Sequence, residues 1–129
     1  MEWTVRLSRQ FDFAELRIQA GFVGDCALVH LEGGEAPHIG CTVLALPRPS
    51  LRGDGTVSAT SSVLNVTGHK DEAICRPLAE QVCRRLNRVT VCTGGFHIDG
   101  IASAQIQTLT AAIQALADAA ADALAAQDA

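Results

Sequence analysis

The stretch CALVHLEGG puts Ala27, Val29 and Leu31 at one parity and Leu28, His30 and Glu32 at the other. That two-residue alternation is what a strand with one buried face requires, because successive side chains leave opposite sides of the pleat. Upstream, residues 2 to 23 alternate more loosely, through Trp3, Val5 and Leu7, then Phe11 and Phe13, then Leu16 and Ile18, and predict one or two strands. HIGCTVLALP is apolar at both parities, which places it centrally in a sheet. PRPSLRGDGT, with two prolines and two glycines, reads as a loop, and VSATSSVLNV returns as a strand.

After residue 70 the period changes. Ile74, Leu78, Val82 and Leu86 repeat every four residues with Cys75, Ala79 and Cys83 beside them, one apolar stripe on a helix. Asp71 is a plausible N-cap. Pro77 opposes an early start, since an interior proline removes a backbone bond at a cost of about 3 kcal/mol, and the regular helix is expected nearer Arg76. RVTVCTGG is a further strand and FHIDGIA a turn. Ser103 then caps a long alanine-rich helix whose Ile106, Leu109, Ile113, Leu116 and Leu124 face the sheet, with AAQDA fraying at its end. Strands first, then helix, strand and helix, predict an α+β domain: a mostly antiparallel sheet of about five to six strands with two main helices on one face. The other face also carries apolar residues, for which a homodimer is the economical cover.

Composition narrows this picture. The 129 residues suit one domain, 1–129, and 48% hydrophobic residues exclude compositional disorder. Aromatics are 4%, with no Tyr and a single Trp, so the core is aliphatic. A net charge of −4 gives no footprint for nucleic acid or anionic lipid, and Arg84, Arg85 and Arg88 are too small a cluster to change that. No secretory signal is evident, and no apolar run approaches the ~20 residues that span a bilayer. Five cysteines, an odd number without a C-x-x-C pair, sit in apolar patterns like free buried thiols, as expected in a reducing cytoplasm.

The polar chemistry is concentrated in GGEAPHIGC, TGHKDE and TGGFHIDG, each placing a histidine among glycines at a predicted strand end. Three of the four histidines, His38, His69 and His97, are used this way, and strand ends of one sheet can converge on one pocket. Turns and backbone hydrogen bonds are the plainer use for each taken singly. His30, in mid-strand without glycine neighbours, reads as structural. A helix starting at or after Asp71 would turn the backbone N–H groups beside Gly68 outward, and with Lys70 and His69 they make an anion site for a phosphate or carboxylate. The alternative is that Asp71 merely caps the helix and Lys70 is solvated. A metal held by His38 with Cys41, or Cys92 with His97, is a third use, although these spacings match no zinc pattern. A cysteine nucleophile is weaker still, with no cysteine at a clear helix N-terminus.

PHIGC, GHKDE and GFHID, in this order and at these intervals, resemble the prenylated-flavin chaperones of the LpdD type, over roughly residues 12 to 124. The resemblance implies a fold similar to proteasome-assembly chaperones, pairing as a homodimer, and no catalytic activity of its own. It also implies binding of prenylated FMN and its delivery to a UbiD-type decarboxylase as client, with a flavin prenyltransferase as candidate donor. Carried over by position, the cofactor-binding residues are His38, Gly68, His69, Lys70, Asp71 and His97. A decarboxylase accessory subunit that binds no ligand, and a small histidine-based metal-binding protein, are the alternatives.

Overall fold

The computed structural model describes residues 1–66 and 71–127. Eight elements follow one another: β1 (Val5–Gln10), β2 (Glu15–Val23), β3 (Cys26–Gly34), β4 (Cys41–Pro49), β5 (Val57–Asn65), α1 (Glu72–Leu86), β6 (Thr90–His97) and α2 (Ser103–Gln127). The strands form one sheet in the order β1-β2-β3-β6-β4-β5. β3 and β6 run parallel, and the other neighbouring strands pair antiparallel. The fold is therefore α+β with a mixed sheet, close to the mostly antiparallel arrangement that the periodicities predict.

The parallel pair follows from the chain's route. Between β3 and β6 the chain makes the β4–β5 hairpin and α1, a detour long enough to return β6 beside β3 in the same direction. The insertion of β6 between β3 and β4 corrects the expectation that HIGCTVLALP is central. β4 is second from the edge, and its outward Leu44 and Leu46 are exposed. Its double-sided apolarity reflects an uncovered face, not burial on both sides.

Both helices pack on one face. The inward rows read Ile18, Leu31, Gly94 and Cys41 across the sheet, and Ala20, Val29, Cys92, Val43 and Val63 one rung further along. Against them α1 buries Ile74, Cys75, Leu78, Ala79, Val82 and Cys83, the stripe that its four-residue repeat announces. α2 buries Leu109, Ile113, Leu116 and Leu124 with alanines between them, and Ile106 only in part. Small alanines let α2 approach α1 closely. Arg85 on α1 then pairs with Asp118 at 2.8 Å and with Asp122, fixing the two helices across their exposed side.

Several local expectations are corrected. α1 is regular from Glu72, not from near Arg76, with Pro77 inside it. Pro77 faces solvent, so the carbonyl that loses its donor can be hydrated. Ser103 lies within the first turn of α2 instead of capping it, and Gln105 Oε1 accepts the Ala102 N–H at 2.8 Å. α2, at 25 residues and a mean hydropathy of 1.3, is long and apolar enough to cross a membrane, contrary to the run-length reading of the sequence. Here its apolar side is packed on α1 and the sheet. Cys26 is exposed, whereas Cys41, Cys75, Cys83 and Cys92 are buried as expected.

Candidate functional site

Topology decides which polar residues meet. β3 and β6 both end, and β4 begins, at the same end of the sheet, where β5 also finishes and α1 starts. The segments GGEAPHIGC and TGGFHIDG therefore meet there although they are far apart in sequence. Val66 and Asp71, which flank TGHK, stand at this end too: the Val66 N–H donates to the Gly40 carbonyl at 2.9 Å, and Asp71 lies against Gly40 and Phe96. Gly68, His69 and Lys70 themselves lie outside the described residues.

Asp71 is the centre of the arrangement. It is one of the few buried polar side chains, and it stands at the N-cap position of α1 as expected, but its side chain makes no capping hydrogen bond. Its Oδ1 accepts the Phe96 backbone N–H at 2.9 Å, and its Oδ2 stands 3.1 Å from His38 Nε2. The other ring nitrogen, Nδ1, is 3.0 Å from the Ala36 carbonyl, so both nitrogens of His38 face acceptors. A buried carboxylate is tolerable only when its oxygens are occupied, and here a strand amide and an imidazole occupy them.

His97 makes a second imidazole–carboxylate pair, with Nε2 3.0 Å from Asp99 Oδ1 on the turn that follows β6. The His38 and His97 rings stand edge to face, their centroids 6.3 Å apart and their planes at 82°. Glycines make the approach possible. A Cβ on Gly95 would collide with the His38 ring, and one on Gly40 would overlap the Asp71 carboxylate. Gly34, at φ +81°, brings β3 against the His97 carbonyl, to which the Glu35 N–H donates at 2.7 Å. The glycines beside the histidines are thus contact positions between backbone and side chain as well as turn formers.

His38, Asp71 and His97 are brought together. The partners they use, the Phe96 amide and the Ala36 carbonyl, carry no signal in the sequence because any residue supplies a backbone group. Among the described residues, no group of three or more histidines, cysteines or acids is placed to hold a metal ion. Cys41 and Cys92 belong to the core with Cys75, not to the histidines. The Cys41 thiol is pushed far up by hydrogen bonding with the Cys75 thiol and by burial. For Cys75 the bond with Cys41 pulls down but is outweighed by Cys92 and burial, so it too rises well above the ordinary thiol range. Neither sulfur is a nucleophile near neutrality.

Sequence reading also missed Phe11, Phe13 and Arg9. Phe11 and Phe13 stack at 5.4 Å with 19° between their planes, and Phe13 meets buried Phe96 edge-on at 6.4 Å. The pair sits in the connection between β1 and β2, not on a strand, and FDF in an alternating stretch was the available hint.

A family model described as the prenylated flavin chaperone LpdD-like domain matches residues 11–125. Among solved structures, the chain resembles one in "Crystal Structure of a Novel Chaperone Complex for Yeast 20S Proteasome Assembly", at 15% identity and a TM-score of 0.51, with 92% of each chain covered. At that identity the likeness is one of fold. No curated protein sequence matches the chain.

Proposed function

The chain belongs to the prenylated flavin chaperone LpdD-like family, and on that premise we propose that it binds prenylated FMN and hands it to a UbiD-type decarboxylase without catalysing a reaction itself. The observation that carries this reading is the one-ended convergence of His38, Asp71 and His97 beside the start of α1. A flavin phosphate needs N–H donors and a cation. The Asp71 side chain turns away to Phe96 and His38 and makes no capping hydrogen bond of its own, and the positive end of a helix suits an anion. The carboxylate would repel a phosphate if it stood unpaired, and its pairing with His38 moderates that. Lys70 precedes it directly in sequence and is assigned to the phosphate, with His69 and the amide of Gly68; His38 and His97 supply polar contacts. Among the described residues, the partly exposed imidazoles of His38 and His97 suit such a ligand.

The bound flavin is cargo, whose chemistry is supplied only once it sits in the client. Contacts to partly exposed imidazoles at the rim of a sheet suit a cargo that must leave again. A cytoplasmic location and a flavin prenyltransferase as donor complete the reading.

Titration of the purified chain with prenylated FMN tests it. Wild type is expected to bind, Lys70→Ala to bind about tenfold more weakly, and His38→Ala with His97→Ala more weakly still. Absence of binding by wild type defeats the reading.

The open face of the sheet supports a homodimer. Leu44 and Leu46 on β4 and Leu64 on β5 project from it, with Ile39 and Val66 near its end; Leu64 is 77% exposed and Val66 69%. Leu46→Lys with Leu64→Lys is expected to yield a monomer by sedimentation. The same strip favours, as a second reading, an assembly module that docks a partner chain and ignores flavin. In that case replacing His69 and His97 together would leave client activation unchanged.

A further inference from the structure

Among the described residues, a groove of about 940 Å³ lies between the β1–β2 connection and the first turns of α2, lined by Arg9, Phe11, Phe13, Gln105, Thr108 and Ala111 among others. That volume is within the range of small-molecule sites. We infer that this groove binds the ring of a planar aromatic molecule with an acidic or carbonyl-rich edge.

Three observations carry the inference. The stacked Phe11 and Phe13 rings are half-exposed, and a half-exposed aromatic pair offers a flat surface for a third ring. The Arg9 guanidinium lies over the Phe11 ring, 5.9 Å from its centroid, so a ring entering the groove beside the pair would meet a planar cation. Opposite, α2 presents Ala104, Ala111 and Ala112, side chains too short to fill the space. Asp12, also in the lining, disfavours a ligand of high negative charge and favours one whose anionic character is confined to the Arg9 side.

The groove is also joined to the histidine site. Phe13 rests edge-on against Phe96, whose backbone N–H is held by Asp71, which in turn faces His38. Gly33 makes room for the Phe96 ring to lean that way, since a Cβ there would strike it. The isoalloxazine of the flavin has the required shape and edge, and so has a small aromatic acid. The first source rests on the proposed flavin function; the second does not.

The test uses the full chain, wild type and two surface variants that leave the core untouched, Arg9→Gln and Ala111→Gln. Riboflavin and FMN are titrated by quenching of flavin fluorescence, and benzoate by ligand-detected NMR. If flavin occupies the groove, each variant weakens riboflavin and FMN alike by about tenfold, whereas Lys70→Ala weakens FMN alone. If a separate aromatic acid occupies it, benzoate binds saturably to wild type, each variant weakens that binding, and flavin affinity is unmoved. Loss of flavin binding in Lys70→Ala and the histidine variants, with both groove variants binding every probe as wild type does, overturns the groove and spares the flavin reading. A wild type that binds benzoate but no flavin does the reverse.

Discussion

Replacement of Asp71 separates two roles that one side chain at a helix start can play. As a cap it would satisfy the first-turn amides of α1, and serine would serve nearly as well, within a few tenths of a kcal/mol. In the structure it instead accepts the Phe96 N–H at 2.9 Å and faces His38 at 3.1 Å. Phe96 is 1% exposed, so its amide has no water to turn to when the carboxylate is removed. An orphaned buried donor costs about 1–3 kcal/mol. The contact with His38, a side chain 39% exposed, is screened, and adds about 0.5–1 kcal/mol. Asp71→Ala is therefore expected to lose about 2–4 kcal/mol of the 5–15 typical of a domain, and roughly 10 °C in Tm. Asp71→Ser, which caps well but cannot reach Phe96, should fall with alanine. Asp71→Asn, which keeps an oxygen for the Phe96 amide, should lie between them and wild type. Urea unfolding followed by far-ultraviolet circular dichroism gives the order directly. A serine variant within about 0.5 kcal/mol of wild type, beside a weakened alanine variant, would refute the bridging role.

Gly94 sits at φ +148° with its Cα facing the Leu31 carbonyl, and a Cβ would run into that carbonyl. Gly94→Ala is expected to cost roughly 3 kcal/mol or more in chemical denaturation, and a loss below about 1 kcal/mol would show that β3 and β6 can part freely. Pro77→Ala restores a donor within α1 and is expected to raise stability by about 1–2 kcal/mol, read as a higher Tm; an unchanged Tm would mean that the new amide finds no acceptor. Cys41 and Cys75 are held above the ordinary thiol value of 9.0 in the folded chain. Their contribution is thus complete below that pH and is lost as pH rises past it, by about 1.4 kcal/mol per thiol per pH unit. Urea titrations on either side of pH 9.0 check this, and a Cys41→Val variant with the same alkaline slope as wild type would count against it.

Much of the fold is legible along the chain because it depends on period alone. Ala27, Val29 and Leu31 define a strand whatever lies beside it, and Ile74, Leu78 and Val82 define a helix stripe even with Pro77 among them. The family was legible too, since PHIGC, GHKDE and GFHID keep their order and spacing, and the matched residues, 11–125, include all three. Neighbour order was not legible. Periodicity says that a strand has two unlike faces but not which strand lies next to it, so the insertion of β6 between β3 and β4 came only from the folded chain. That insertion carries His97 to His38 and turns Asp71 from a local cap into a bridge between α1, β6 and the loop before β4. It likewise places Phe13 against Phe96 and opens a groove beside α2. Elements are set by short-range patterns that a linear text records, whereas a site made of backbone amides and side chains from distant segments exists only once loop closure and sheet order have brought them together.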